Sequence, residues 1–163
     1  MIKFLKLTGF IFIIYSLMFA ANGGLENALD ISTSGVVAQN TKMQVIAQNI
    51  ANIDTIKDET GNPYKPKVTV MRPVEYFGGG NIQNNILSGV KVVDIKENET
   101  AKSVKVYEPG HPEADAQGYV YYPDVNLTKE MMDMTGASSA FEANIVVYNT
   151  TKSMMQASLE IGK

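Results

Sequence analysis

The chain has no cysteine and no tryptophan among its 163 residues, and it has a single histidine. Without cysteine it can form no disulfide, no thiolate zinc site and no cysteine nucleophile. The net charge is −3, so the protein has no basic surplus with which to bind nucleic-acid phosphates. Hydrophobic residues make up 45% of the chain, which is the composition of a folded protein with room for one modest domain.

Charge is scarce at both ends of the chain and ordinary in the middle. Residues 25–53 contain three charged side chains, whereas residues 54–124 contain nineteen. From residue 143 to residue 159, Lys152 is the only charged side chain. Exposed faces of soluble helices normally carry many charges. The scarcity therefore indicates that the two ends pack against other protein surfaces, although a private two-helix stalk with an unusually neutral surface is the alternative.

Both ends also carry the spacing of a long helix, because apolar or small residues recur at alternating steps of four and three. The N-terminal stripe is Leu25, Leu29, Ser32, Val36, Gln39, Met43, Ile46, Ile50 and Ile53. The C-terminal stripe is Leu127, Met131, Met134, Ser138, Phe141, Ile145, Tyr148, Lys152, Met155 and Leu159. Thr128 is predicted to be the N-cap of the second helix, since a threonine hydroxyl can accept a free backbone N–H there.

The middle of the chain has the spacing of short strands and turns. Gly61-Asn62-Pro63 indicates a turn, and four segments favour strands: 67–70, 90–93, 103–107 and 118–122. The sequence therefore predicts an α+β fold in which two long terminal helices pair as a coiled coil, with a small β-rich insertion between them. The predicted divisions are an N-terminal segment (1–22), a core helix (23–54), the insertion (55–124) and a second core helix (125–163).

The N-terminal segment is a separate compositional block. Lys3 and Lys6 precede an uncharged apolar run of 15 residues, Leu7–Ala21. This length suits a signal peptide and falls short of the ~20 residues that span a bilayer. Three explanations are open, in order of preference: a misplaced start codon with the true start at Met18, a cleaved signal, and a retained membrane anchor.

Three motifs, in chain order, resemble the flagellar axial protein family. The first consists of Ala28-Leu29-Asp30-Ile31-Ser32, Ser34-Gly35 and Asn49-Ile50-Ala51-Asn52. The second consists of Tyr107-Glu108-Pro109-Gly110-His111-Pro112, Ala114-Asp115-Ala116, Gly118-Tyr119-Val120 and Tyr122-Pro123-Asp124-Val125-Asn126. The third consists of Glu130-Met131-Met132-Asp133-Met134, Ala137-Ser138, Phe141-Glu142-Ala143-Asn144 and Lys152-Ser153-Met154-Met155. The second and third are similar to the proximal-rod subunits of that family, and the resemblance covers residues 25–163.

The resemblance implies a structural subunit of the rod that crosses the periplasm, exported through the flagellar secretion channel. The implied partners are other rod subunits, the membrane-embedded MS ring and export apparatus at the rod base, and further copies of the chain in a helical assembly. It implies no enzyme activity, no cofactor, no metal, no nucleic acid and no small-molecule substrate. The implied subunit-interface residues are Leu29, Asp30, Ile31, Ser32, Asn49, Ile50, Ala51, Asn52, Met134, Phe141, Glu142, Ala143, Asn144 and Met155.

Competing functions find weaker support in the residues. His111 lies near Glu108 and Glu113, but one histidine with carboxylates in a Pro-Gly-His-Pro turn is a weak metal signal. The interpretation favoured instead is a shaped loop in which Gly110 adopts a positive φ. An enzyme or small-molecule binder built on the insertion would need a convergent set of titratable side chains. The remaining alternative is a membrane-anchored coiled-coil adaptor.

Overall fold

The computed structural model describes the backbone of residues 2–58, 61–77 and 86–161. Within these ranges it describes the side chains, apart from 2–23, 75–77, 86–88 and 161. The elements in chain order are α1 (Ile2–Ala51), β1 (Lys67–Phe77), β2 (Ile86–Glu97), β3 (Val104–Tyr107), β4 (Tyr119–Tyr122) and α2 (Leu127–Ile161). The predicted α+β class is confirmed, with both terminal helices and a strand at each of the four predicted segments.

From Ile2 onward the N-terminal segment is described only as backbone, and this backbone forms the first part of α1. The predictions made for residues 1–22 otherwise lie outside the described residues. In the part of the chain that the structure does describe, no helix combines the length and apolar character needed to cross a membrane.

The helices α1 and α2 run alongside each other in opposite directions. Near one end of the contact, the Asn49 side chain donates a hydrogen bond to the Glu130 carboxylate at 3.3 Å. Further along, a Cβ on Gly35 would lie 2.8 Å from the Asn144 side chain. Fourteen residues separate the two points on each helix, so the helices advance in step between them.

The buried face of each helix only partly matches the predicted stripe. In α1, Ser32 and Ile46 are buried as expected, but Ala38 and Val45 are buried beside them. In α2, the buried side chains are Ala137 and Thr151. Each comes one position before a member of the predicted stripe, Ser138 or Lys152. The predicted stripe of α2 was therefore wrong for its exposed members, which are Leu127, Met131, Ile145, Tyr148, Lys152 and Leu159. Small and polar side chains line the contact because the helices approach closely there, and a hydrophobic pattern does not detect them.

A long antiparallel hairpin, β1–β2, packs on one side of α1. Its register shifts between Val70 and Met71, which leaves Val93 of β2 without a partner residue and marks a β-bulge. The hairpin is tied to the helix by the Val90 N–H, which donates to the Ser34 hydroxyl at 3.0 Å. The Ser34 hydroxyl in turn donates to the Ile31 carbonyl. Both strands are longer than the short segments that the sequence predicted.

The second hairpin, β3–β4, leads directly into α2. Val120 of β4 is fully buried, whereas the opposite face of the hairpin presents Lys105, Tyr107 and Tyr121 to the surface. The N-cap of α2 is Asn126, whose side-chain oxygen accepts the Lys129 N–H at 3.0 Å. The prediction of Thr128 as N-cap was wrong, because the helix begins at Leu127 and Thr128 already lies within its first turn.

Candidate assembly interface

Asn49, the first asparagine of the Asn-Ile-Ala-Asn motif, joins four parts of the chain. It is 2% exposed. Its side-chain oxygen accepts the Lys67 N–H at 2.8 Å and the Tyr64 hydroxyl at 2.9 Å. Its side-chain nitrogen donates to the Lys67 carbonyl at 2.9 Å and to the Glu130 carboxylate. These four bonds use the full capacity of an amide side chain, so α1, the loop after it, the start of β1 and the start of α2 are held at one point.

The surroundings of Asn49 also raise the pKa of the Tyr64 side chain. Burial raises the pKa of Tyr64 above its usual 10.0, and the carboxylates of Glu130 and Glu97 raise it further. The Tyr64 hydroxyl therefore stays protonated and remains a donor to Asn49. Sequence reasoning identified Asn49 but missed Tyr64, Lys67 and Glu130 as its partners, since nothing in their spacing along the chain indicates that they meet.

Asn52, the second asparagine of the motif, closes the C-terminal end of α1. Its side-chain nitrogen donates to the Gln48 carbonyl at 2.8 Å, and its side-chain oxygen accepts the Thr55 hydroxyl at 3.1 Å. The Thr55 N–H donates to the Asn52 carbonyl. These bonds satisfy carbonyl groups that a helix end leaves without partners, and they turn the chain into the insertion.

Gly35 marks the closest approach of the two helices. It is buried, and a Cβ at this position would stand 2.8 Å from the Cγ, Nδ2 and Oδ1 atoms of Asn144. Asn144 is held in place because its amide nitrogen donates to the Ala140 carbonyl at 2.8 Å. Glycine costs about 1 kcal/mol in a helix relative to alanine. The close approach explains why the sequence nevertheless has glycine here, a role that spacing alone did not reveal.

The predicted interface residues separate into an inward and an outward group. Inward residues, buried or half-buried within the chain, are Leu29, Ile31, Ser32, Asn49, Ile50, Asn52, Met134, Phe141, Asn144 and Met155. Outward residues, exposed on the chain by itself, are Asp30, Ala51, Glu142 and Ala143. The inward group organises the subunit itself. The outward group is available to another molecule.

The half of α2 after Asn144 exposes several large apolar side chains. Val146 is 63% exposed, Met154 56% and Leu159 71%. Among residues 145–160, Thr151 is buried, Met155 is half-buried and the other side chains are exposed. This half of α2 is therefore a candidate contact surface for another protein.

The loop between β3 and β4 is held by its own side chains. The Asp115 carboxylate accepts the Tyr119 and Gln117 N–H groups at 2.9 Å, and the bond from Tyr119 is the main cause that lowers the Asp115 pKa below 3.8. Gly118 has φ +82° and lies against Pro109 and Tyr107. The prediction of a positive φ at Gly110 was wrong, since among the described glycines only Gly61 and Gly118 have one.

His111 takes part in the same loop. Its Nδ1 atom accepts the Glu113 N–H at 3.1 Å. Glu113 forms an ion pair with Lys57, which fastens the loop to the segment after α1. Within the described ranges there is no group of three histidine, aspartate or glutamate residues that could hold a metal ion.

Comparison with known proteins decides the family of this chain. A family model described as flagellar basal body rod FlgEFG protein C-terminal matches residues 116–161, which contain β4 and α2. The flagellar basal-body rod protein FlgC of Escherichia coli O6:H1 is 39% identical over 139 residues, covering 85% of this chain and 98% of that protein. The chain belongs to the FlgC family.

Other members of the FlgC family match over a similar extent. The FlgC protein of Borreliella burgdorferi is 37% identical over 149 residues, covering 85% of this chain and 97% of its own. The FlgC protein of Bacillus subtilis is 37% identical over 151 residues, covering 84% and 97%. The resemblance read from the motifs is thereby confirmed.

Proposed function

We propose that this chain is a structural subunit of the flagellar basal-body rod, serving motility, and that it polymerises through α1 and α2. The observation that carries the proposal is its 36–40% identity to FlgC proteins over 96–98% of their length. The alternative of a membrane-anchored adaptor receives no support from these relatives. We also propose that this role is purely structural and that the chain catalyses no reaction.

Within this function, we propose that α1 and α2 pair as an antiparallel coiled coil. Support comes from the equal spacing of Gly35 to Asn49 and of Asn144 to Glu130, and from the half-buried side chains Met134, Phe141 and Met155, which repeat at multiples of seven residues. A repeat of seven keeps one seam of a helix against its partner. The inward group of family residues lies along this pair, so a rigid two-helix unit is what each copy contributes to the assembly.

We further propose that the rod position is proximal and that the neighbours are other rod subunits, the MS ring and export apparatus at the rod base, and further copies of the chain. Passage through the flagellar secretion channel into the periplasmic rod is part of the same proposal. The part of this proposal that concerns neighbouring subunits is supported by Gln44 on α1 and Asn149 on α2, which are exposed on the subunit and carry no charge.

The test uses a strain that lacks this chain and is complemented by variants. Replacing Gln44 or Asn149 with glutamate should leave the unfolding midpoint of the isolated subunit unchanged, since both side chains are exposed. The same variants should reduce rod assembly and swimming several-fold, because an unpaired charge buried between subunits is costly. The readouts are motility in soft agar and electron microscopy of isolated basal bodies.

Ser103→Glu is the matched control, because Ser103 is exposed on the insertion and lies outside both helices. It should swim normally. Rods and motility in the strain without the chain would refute the function itself. Normal rods in the Gln44 and Asn149 variants would refute only the proposal that these faces of α1 and α2 contact other subunits.

A further inference from the structure

Each of the two hairpins has two outer edges, along which backbone N–H and C=O groups point away from the paired strand. An open edge of this kind can add a strand from another chain, and proteins usually block it. On β2, the Ser34 hydroxyl accepts the Val90 N–H at 3.0 Å. The Asp94 carboxylate accepts the Ile95 N–H at 2.9 Å. Side chains therefore block two donors along the outer edge of β2.

The edge of β4 and the start of β1 are blocked in the same way. On β4, the Asp115 carboxylate accepts the Tyr119 N–H at 2.9 Å, and the Asp115 N–H donates to the Tyr119 carbonyl at 2.8 Å. On β1, the Asn49 amide takes both backbone groups of Lys67. Further along β1, Pro73 has no N–H to offer a partner.

The edge of β3 is open. Just beyond this strand, the Glu108 N–H donates to the Gly118 carbonyl at 2.9 Å. Antiparallel strands alternate hydrogen-bonded pairs with pairs whose backbone groups point outward. The backbone groups of Tyr107 and Lys105 therefore point away from β4, and none of them has a partner among the described residues. Tyr107 is 63% exposed and Lys105 is exposed as well, so this edge faces solvent.

The edge of β1 has an open stretch between its two blocked points. Because outward-pointing residues alternate along a strand, Thr69 and Met71 face the same edge as Lys67. Their outward backbone groups also have no partner within the part of the chain that the structure describes. At Lys67 the helix α1 contacts the edge of β1, whereas at Val90 it contacts the edge of β2. The hairpin therefore crosses α1, and the edge of β1 moves away from the helix beyond Lys67.

The two open stretches match each other. Each presents the N–H and C=O groups of two residues that are two positions apart. In an antiparallel pair, each such residue exchanges both of its bonds with the residue opposite, whereas the slanted bonds of a parallel pair need a third residue on one strand. The antiparallel fit places Thr69 opposite Tyr107. It also places Met71 opposite Lys105. An aromatic ring then lies beside a β-branched side chain, and no like charges oppose each other, which favours the pairing.

We propose that β1 of one copy pairs antiparallel with β3 of a second copy of this chain, which joins two hairpins into one four-stranded sheet in the order β2–β1–β3–β4. A two-stranded sheet is only marginally stable by itself, and additional strands stabilise it. Because β1 and β3 are different edges, the contact is heterologous and continues into a ring or an open helical array. The proposal rests on the rod function proposed above, because it concerns contacts between assembled copies.

The absence of native cysteine allows a direct test by disulfide trapping. In the proposed pairing Val70 lies opposite Val106 as a pair without hydrogen bonds, whose Cα atoms are about 4.5 Å apart, within the range that a disulfide bridges. Single-cysteine chains carrying Val70→Cys and Val106→Cys are expressed together in the strain that lacks the chain, and isolated basal bodies are oxidised. A disulfide-linked dimer should form in the mixed strain and not with either variant alone.

Val68→Cys paired with Val106→Cys is the matched control. Val68 lies two positions from Val70 on the same face of β1 and is 52% exposed, so a thiol there is accessible. In the proposed register its Cα atom is about 7–8 Å from that of Val106, which is beyond the usual reach of a disulfide. The trapped dimer should be at least five-fold lower than with Val70→Cys.

The backbone bonds are tested by adding Met71→Pro to the Val70→Cys chain. Proline removes the outward N–H of Met71 and leaves the bonds between β1 and β2 in place, as Pro73 does two positions further on. This variant should lower the trapped dimer at least five-fold. Met71→Ala, which keeps the N–H, should trap as much dimer as the parent. Circular dichroism of both isolated variants checks that they fold.

Assembled rods and normal swimming without a trapped dimer from Val70→Cys and Val106→Cys would overturn the strand pairing and leave the rod function intact. Equal trapping by Val68→Cys would overturn it as well. A dimer formed by Val106→Cys alone would show that β3 pairs with β3, which also contradicts the proposal. A strain that assembles rods without the chain would refute the rod function. These results are distinguishable because rod formation, motility and cross-linking are measured on the same strains.

Discussion

At the scale of single residues, the Asn49 side chain joins α1 to the loop after it, to the start of β1 and to the start of α2. Its side-chain oxygen accepts the Lys67 N–H, and its side-chain nitrogen donates to the Lys67 carbonyl. The Asn49 side chain thereby takes the place of a backbone hydrogen-bond partner at the point where β1 begins. A buried polar group is tolerated only when its bonds are made. This requirement gives a physical reason why the position holds asparagine and not a hydrophobic residue of similar size.

Replacing Asn49 should destabilise the isolated subunit. Asn49→Ala leaves the Lys67 N–H and C=O and the Tyr64 hydroxyl without their partner, which we expect to cost about 2–3 kcal/mol in the free energy of unfolding. Asn49→Asp should cost at least as much, because an acid cannot donate and would face the Glu130 carboxylate. Urea unfolding followed by circular dichroism measures both.

Gln48→Ala is the control for these variants, since Gln48 is the exposed neighbour of Asn49 on α1 and its side chain is not part of the cluster. Its unfolding free energy should stay within about 0.5 kcal/mol of the parent. An Asn49→Ala subunit as stable as the Gln48→Ala subunit would contradict the role assigned to the amide.

At the scale of elements, the caps and the close approach fix where α2 lies. Asn126 sets its start, and Asn144 against Gly35 sets its distance from α1. The hairpin β1–β2 is positioned in turn by Ser34. The helix α2 and the hairpin β1–β2 are therefore each located by one or two polar or small residues.

The cap assignment can be tested with two matched variants. Asn126→Ala removes the acceptor for the Lys129 N–H and should cost about 1 kcal/mol. Thr128→Ala changes a residue inside the first turn that is exposed, and should change stability by less than about 0.5 kcal/mol. Thermal unfolding of both variants under the same conditions gives the comparison. The reverse order of the two effects would show that Thr128 is the functional cap.

At the scale of the whole molecule, the buried hydrophobic residues of the described part concentrate along α1, where it meets α2 and the β1–β2 hairpin, and Val120 is buried apart from them in the second hairpin. Ala38, Val45, Ile46, Val120 and Ala137 are the buried hydrophobic residues. The half of α2 beyond Asn144 contributes only Thr151 to the buried set. The described part of the molecule therefore has a packed middle and a thinly covered end, which needs another surface to bury it.

Limited trypsin digestion should reveal this gradient. In the free subunit, cleavage after the exposed Lys152 should precede cleavage after Lys42, which is half-buried in the middle of α1, because proteolysis of a helix requires local opening. Mass spectrometry of early time points identifies the cuts. In isolated rods, Lys152 should become resistant. Cleavage after Lys42 at the same rate as after Lys152 would contradict a stable middle.

The sequence by itself determined the α+β class, the two helices, the positions of the four strands and the family. Heptad spacing, alternation and short motifs are local properties, so they can be read along the chain. It did not determine which face of α2 is buried or that Thr128 is not the cap. Ala137, Asn144 and Thr151 lie inward because small and polar side chains permit close approach, and hydrophobic periodicity passes over them.

Only the tertiary structure decided which distant groups meet. Asn49 and Glu130 are 81 positions apart, and Ser34 and Val90 are 56 apart. It also separated the family residues that hold the subunit together from those, such as Asp30 and Glu142, that face outward. Contacts of this kind depend on how the hairpin returns the chain to α1 and on how α2 is aligned with it. Neither is encoded in any one segment, because each is fixed by the packing of all of them together.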